Sequence, residues 1–264
     1  MKNNEADNSE AYISVVDLEM AYGDFVIQKD LNFNIRREEI FIIMGGSGCG
    51  KSTLLKHLIG LMEPSRGRVL YGGTSFWDCD PQERDLIMRR SGILYQSGAL
   101  WSSMTLEENV SLPLMEYSKL RKSDIKDLVS LKLSMVGLAG FEDFYPSDIS
   151  GGMRKRAAFA RAIALDPEVL FFDEPSAGLD PVNARLMDDL ILEMRDSLGS
   201  TVIVVTHELP SIFAIGDNSV YLDADTKTMI AKGNPRKLLK ESSDPKVLNF
   251  LTRGKSEGIK PTDG

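Results

Sequence analysis

The sequence predicts an α/β fold with a mostly parallel core sheet, and three observations carry the prediction. Short continuous apolar runs at Ile40-Phe41-Ile42-Ile43-Met44, Ile93-Leu94-Tyr95, Val169–Phe172 and Val202–Val205 suit strands buried on both faces. Segments with helical spacing fall between them. The first run leads into Gly45-Gly46-Ser47-Gly48-Cys49-Gly50-Lys51-Ser52, which fits G-x-x-x-x-G-K-[ST] and opens a helix with apolar Leu54, Leu55, Leu58 and Ile59. Strand, glycine loop and helix are the context in which this motif cradles phosphate. Glycines let backbone N–H groups curl around phosphate oxygens, and the helix start adds its positive dipole end. Lys51 supplies a point charge for the terminal phosphates, and the Ser52 hydroxyl suits a magnesium ion. Gly45, Gly46, Ser47, Gly48, Cys49, Gly50, Lys51, Ser52 and Thr53 are therefore the candidate nucleotide contacts.

Residues 1–11 are polar and acidic and are expected to be a disordered leader. Partial alternation around Ile13–Tyr22 and Val26–Ile35, broken by the turn-like Gly23-Asp24, predicts two antiparallel strands. A short strand at Arg68–Tyr71 ends on Gly72-Gly73. From Gln96 to Leu165 no strand pattern appears, which predicts a helical insert over about residues 97–165 of a core spanning 12–238. Within it Thr105-Leu106-Glu107-Glu108 reads as a capping box. Ser123 is expected to cap a helix with Ile125, Leu128, Val129, Leu133 and Val136 on one face. Asp180-Pro181 opens a further helix that Gly199 stops. After Asn234-Pro235 come two short helices, the second capped by Asp244-Pro245 and closing near Gly254, in an extension over 239–264.

At 264 residues the chain can bury a full core, and 42% hydrophobic with 27% charged residues is the balance of a globular protein. A net charge of −8 leans against a nucleic-acid partner, because phosphate backbones demand clustered Lys and Arg. No apolar run approaches the ~20 residues that span a bilayer, and Met1-Lys2-Asn3-Asn4-Glu5 lacks a signal-peptide core. Any membrane role is expected to come through a partner. Cys49 and Cys79, with no C-x-x-C, suit a reducing cytosol.

The second half of the chain specifies the chemistry. Val169-Leu170-Phe171-Phe172-Asp173-Glu174 is an apolar strand ending in two carboxylates. Asp173 is placed to reach magnesium beside Ser52, directly or through water, and Glu174 to orient or deprotonate an attacking water. Ile149-Ser150-Gly151-Gly152-Met153 opens a helix, a second place where N–H groups and a dipole can hold phosphate. With Gln96, Ser176-Ala177-Gly178-Leu179-Asp180 and His207, these motifs stand in the order of an ABC transporter's ATP-binding subunit, which residues 12–235 resemble. The resemblance implies a P-loop NTPase fold of the ABC nucleotide-binding type, with an antiparallel β-subdomain and an inserted helical subdomain. It implies ATP and Mg2+ as ligands, with Ser52, Gln96 and Asp173 at the metal and Glu174, Gln96 and His207 in catalysis. Ser150, Gly151 and Gly152 would contact the γ-phosphate held by a second copy, and Asp180 would couple the two sites of that homodimer. Tyr22 resembles the aromatic that stacks on adenine, with Phe25 as competitor.

Further stretches resemble the ATPases of the Mla/MCE-type phospholipid transporters. They are the Met153 ending of the signature followed by Arg-Lys-Arg-Ala-Ala, Tyr95–Trp101, Leu106–Leu114, and the tail Asp244–Leu251. That resemblance implies membrane permease subunits, an MCE-domain lipid-binding partner and a peripheral position on the inner face of the cytoplasmic membrane. Two other readings are an importer ATPase for polar solutes such as amino acids and a non-transport ABC protein. The chain lacks the coiled-coil insertion, zinc modules or second ATPase domain of the latter. Val247, Leu248 and Leu251 are expected either to reach across to the other subunit or to dock on their own domain. Arg154-Lys155-Arg156 is expected to be a solvated helix face, and His57 a structural or surface histidine. Cys49, at a helix start that lowers a thiol's pKa, is expected to be alkylated at the cost of nucleotide binding.

Overall fold

The computed structural model describes residues 11–254. In chain order its elements are β1 (Ala11–Tyr22), β2 (Phe25–Arg36), β3 (Ile40–Gly45), α1 (Lys51–Ile59), β4 (Arg66–Tyr71), β5 (Thr74–Ser75), α2 (Pro81–Arg89) and β6 (Ser91–Leu94). The middle of the chain supplies α3 (Leu106–Tyr117), α4 (Lys122–Met135), α5 (Gly151–Ala162), β7 (Val169–Asp173) and α6 (Pro181–Leu198). It closes with β8 (Thr201–Val205), α7 (Leu209–Ile215), β9 (Asn218–Asp223), β10 (Thr228–Lys232), α8 (Pro235–Glu241) and α9 (Pro245–Thr252).

The core sheet runs β10-β9-β3-β8-β7-β6, parallel throughout except for the edge strand β10. Its central strands are buried on both faces, which is why their sequences are continuous apolar runs rather than alternating ones. Ile40, Ile42 and Met44 of β3 point into one cluster with the helices, while Phe41 and Ile43 point into the other, under the antiparallel sheet β2-β1-β4-β5. The α/β class, the parallel core and the separate antiparallel sheet are as the sequence predicts. Between β6 and β7 the chain forms α3, α4 and α5, with the Thr105 capping box present and no strand.

Several boundaries differ, for local reasons. Ala11, expected in the leader, already pairs with Arg36; the rest of the leader and residues 255–264 lie outside the described residues. Ser123 does not cap α4, which starts at Lys122 with Arg121 at the cap position bridging to Asp124. The helix α2 has no counterpart among the predicted elements because it buries no residue and so carries no apolar stripe. The edge strand β10 is half-exposed along its length and likewise shows no run. Asp180, Asp244 and Gly199 do cap their helices as expected.

One buried charge stands out in this core. Asp188 on α6 is 5% exposed, its Oδ1 has no partner, and burial pushes its pKa up to about 6, with the Ser211 hydroxyl offsetting only part of that. The folded chain holds this proton more tightly than the unfolded one, whose Asp titrates near ~3.9. Its contribution to stability is therefore full below that value and is lost as pH rises through about 6. Asp188→Asn should raise the unfolding free energy by about 1–2 kcal/mol at pH 7.5. The gain should vanish by about pH 4 in urea titrations. A pH-independent difference would contradict this account.

Candidate functional site

The parallel strands deliver their carboxyl ends to one cavity, the usual place for a ligand in a sheet of this kind. The glycine loop follows β3, Gln96 follows β6, Glu174 follows β7 and His207 follows β8. A cavity of about 750 Å³ is lined by Tyr22, Phe25, Gly45, Gly46, Ser47, Gly48, Gly50, Lys51, Ser52, Thr53, Gln96, Glu174 and His207, together with Ile27 and Phe250.

The loop's shape depends on two glycines. Gly45 sits at φ 150°, and a Cβ there would collide with the Leu222 carbonyl oxygen and the Cys49 sulfur. Gly50 sits at φ 96°, where a Cβ would lie 2.7 Å from Ile27 Cγ2. As the cap of α1, Gly50 offers no side chain to the helix's first N–H groups, leaving them for an anion. Lys51 Nζ folds back over the loop and donates to the carbonyls of Gly45 at 3.0 Å and Gly46 at 2.9 Å. From outside the loop, Gln28 Nε2 donates to the Cys49 carbonyl at 2.8 Å and the Asp223 carbonyl at 2.9 Å, tying the antiparallel sheet, the loop and β9 together.

The acidic end of β7 faces this loop. Ser52 Oγ donates to Asp173 Oδ1 at 3.1 Å, and burial raises the Asp173 pKa against that bond. Glu174 turns into the left-handed region at φ 52°, an uncommon conformation for a side chain of its kind and one that clusters at functional sites. Its Oε1 lies 2.8 Å from His207 Nδ1, and its Oε2 is buried without a partner. Tyr22 and Phe25, at the ends of the β1–β2 hairpin, both present exposed rings to the cavity, so both remain candidates for a base.

Two expectations are corrected here, and one is narrowed. The Cys49 thiol is not a cavity group: it is 1% exposed, packs into the core cluster under the loop, and burial raises its pKa despite Lys51 nearby. Desolvation thus outweighs the helix terminus, and the thiol is protected from alkylation by packing. His57 is the structural histidine of the two expected alternatives: it is buried, with Nδ1 2.8 Å from the Met62 carbonyl oxygen. Arg154-Lys155-Arg156 is only in part a solvated face: Arg154 is exposed, while Lys155 and Arg156 are half-buried, and all three donate to carbonyls. Arg154 donates to the Ile149 carbonyl at 2.8 Å and Arg156 to the Val136 carbonyl at 2.9 Å. Lys155 Nζ donates to the carbonyls of Glu174 at 3.2 Å, Pro175 at 3.0 Å and Ala177 at 2.6 Å. It thereby holds the turn that follows the two carboxylates, and burial lowers its pKa while the Glu174 carboxylate pulls it back up. Lys155→Met should cost about 2 kcal/mol in chemical unfolding, since three carbonyls lose a charged donor. A loss within ~0.5 kcal/mol would show that water replaces the ammonium.

Ser150, Gly151, Gly152 and Asp180 do not line the cavity of their own chain. Ser150 Oγ caps α5 through the Met153 N–H at 3.2 Å, and Asp180 caps α6 through the N–H groups of Val182 and Asn183. The two caps are neighbours, because a Cβ on Gly152 would lie 3.2 Å from Asn183 Oδ1. The same helix α5 also holds the loop after Gln96: Arg161 donates to the carbonyls of Gly98 at 2.9 Å and Ala99 at 2.8 Å.

The profile of the family described as ABC transporter matches residues 28–177. The chain belongs to that family, as an ATP-binding ATPase subunit. It is 40% identical over 246 residues to the intermembrane phospholipid transport system ATP-binding protein MlaF of Haemophilus influenzae, covering 93% of this chain and 92% of that protein. It is also 40% identical over 239 residues to the probable ribonucleotide transport ATP-binding protein mkl of Mycobacterium leprae, covering 90% of this chain and 68% of the relative. Among solved structures, the dimeric post-hydrolysis state of the ATP-binding cassette MJ0796 bound to ADP and Pi matches with a TM-score of 0.77 and 29% identity, over 84% of this chain and 98% of that one.

Proposed function

We propose that this subunit powers phospholipid transport, working as a head-to-tail homodimer beneath membrane permease subunits with an MCE-domain protein as lipid-binding partner. The observation that carries the cargo reading is the near-complete mutual coverage with MlaF at 40% identity. The relative mkl, equally identical, is named for ribonucleotide transport but is matched over only 68% of its length. A polar-solute cargo is therefore the second reading. No helix among the described residues is long and apolar enough to cross a membrane, so the membrane contact would be made through a partner. Trp101, Met115 and Tyr117, on and before α3, are individually exposed apolar side chains available to a permease.

In the proposed mechanism the glycine loop and Lys51 hold the ATP phosphates of one subunit, and the ring of Tyr22 or Phe25 receives the base. Ser150, Gly151 and Gly152 of the other copy cover the γ-phosphate, a reading supported by their not lining the cavity of their own chain. The donor set fits magnesium: Ser52 Oγ and Asp173 Oδ1 are hard oxygens already 3.1 Å apart, and Gln96 lines the same cavity. When bound, the ion neutralises phosphate charge. Glu174 accepts the proton of the attacking water, and His207, hydrogen-bonded to it, leaves Glu174 for the γ-phosphate. Movement of the loop after Gln96 reaches α5 through Arg161, linking permease contact to the Ser150 helix start.

The cargo reading is tested by isolating the native complex through a tagged copy of this chain and measuring its ATP turnover with phospholipid vesicles. A permease and an MCE-domain protein should co-purify, and added phospholipid should change turnover. Co-purification of a periplasmic solute-binding protein, with nucleotide or amino acid changing turnover instead, would move the chain to the polar-solute class.

A further inference from the structure

The helix α9 is built into the nucleotide site. Val247 and Leu251 are buried on its own chain, so the described tail docks in cis. Lys246 Nζ lies 2.8 Å from Asp223 and 2.7 Å from Asp225, and it pulls the Asp223 pKa down to about 2. The Phe250 ring meets Tyr221 edge-on at 5.3 Å and lines the same cavity as Lys51 and His207. Tyr221 pairs with Met44 and Leu222 with Gly45, so the strand under α9 is the one that borders the glycine loop.

Beyond the helix, Arg253 turns left-handed at φ 51° and places Nη2 3.3 Å from Glu208 Oε2. Glu208 Oε1 in turn lies 3.7 Å from His207 Nε2, and His207 Nδ1 lies 2.8 Å from Glu174 Oε1. Arg253, Glu208, His207 and Glu174 thus form one line from the tail to the reacting end of β7. The His207 side chain is 56% exposed, with Glu174 hydrogen-bonded at one ring nitrogen and the Glu208 carboxylate in a longer contact at the other.

We propose that Arg253 is a positioning residue: by holding Glu208 it keeps the His207 ring aimed for turnover, which makes the C-terminal helix a control element of ATP hydrolysis. The proposal rests on the roles given above to Glu174 and His207. Arg253 does not line the cavity, and a rim ion pair contributes little to folding. Its removal therefore acts on kcat and leaves both the affinity for ATP and the stability of the chain in place.

The test is steady-state ATP turnover of the full-length chain as Arg253→Ala, Arg253→Lys, Glu208→Gln and the Arg253→Ala/Glu208→Gln double variant. Arg253→Ala should lower kcat about three- to fivefold, as expected for ~1 kcal/mol of positioning, with the KM for ATP and the Tm unchanged. Arg253→Lys should restore most of the loss. The double variant should fall no further than the worse single one, because both remove the same tether. Unchanged kcat in Arg253→Ala, failure of Lys to restore it, or losses that multiply in the double variant would overturn the proposal. Glu174→Gln, run alongside, separates the two levels. If it keeps turnover the site reading itself fails; if it is inactive while Arg253→Ala is normal, only the role of the tail falls.

Discussion

Glu174→Gln should bind ATP as tightly as the unaltered protein while its turnover falls by about two to four orders of magnitude, the range for removing a general base. The substitution keeps size and shape, so the left-handed turn at Glu174, the Lys155 tether on its carbonyl and the packing of β7 are retained. What it removes is the acceptor. Glu174 Oε1 is engaged by His207, and Oε2 is buried with no partner, the condition of an oxygen kept for a ligand. An amide there can still hydrogen-bond to His207 but cannot take a proton from water. ATP would then bind without being consumed, and the two-subunit form should accumulate on a sizing column in the presence of ATP. Turnover within about threefold of normal would remove Glu174 from its role, because a factor that small is ~0.6 kcal/mol in barrier height.

The second large effect falls on binding instead of on chemistry. Lys51→Ala should weaken ATP affinity by about ten- to a hundredfold, the loss expected for a charge-assisted contact. In this structure the Lys51 ammonium rests on two carbonyls of its own loop, 2.9 and 3.0 Å away. Those bonds hold the side chain over the cavity, from which it can turn to phosphate oxygens. Removing it leaves the glycine backbone and the uncapped helix start in place, so affinity should fall without the protein unfolding. Fluorescence titration with a labelled ATP, next to a thermal melt, separates the two possibilities. Unchanged affinity would mean that the phosphates lie elsewhere.

The elements legible in the sequence were those whose physics is local. Continuous apolar runs marked the buried parallel strands, and Asp180-Pro181, Asp244-Pro245 and Thr105 marked helix starts. The residues around the cavity were legible because glycine, lysine and carboxylate spacing follows directly from holding phosphate. What escaped was long-range. Gln28 would lie opposite Leu31, Phe33 and Ile35 by simple alternation, but the left-handed kink at Asp30 (φ 54°) switches the parity and turns it inward to the loop. Lys155 reads as an ordinary surface lysine until the chain returns to bring three carbonyls to its ammonium. Phe250 lies in the tail stretch singled out only for its resemblance, and Arg253 in no motif; only the folded tail brings them to the site. Cys49 shows the reverse error, since its position in the loop suggests reactivity that its inward packing cancels.

Shared nucleotide sites are the centre of this account, and one variant tests them most directly: Ser150→Arg, assayed for ATP affinity as an isolated subunit and for turnover in the assembled protein. Ser150 does not line the cavity of its own chain, so the isolated subunit should bind ATP normally. Turnover should nevertheless fall at least about a hundredfold, because the arginine obstructs the γ-phosphate held by the other copy. Normal turnover, or a loss of ATP affinity in the isolated subunit like that of Lys51→Ala, would contradict it.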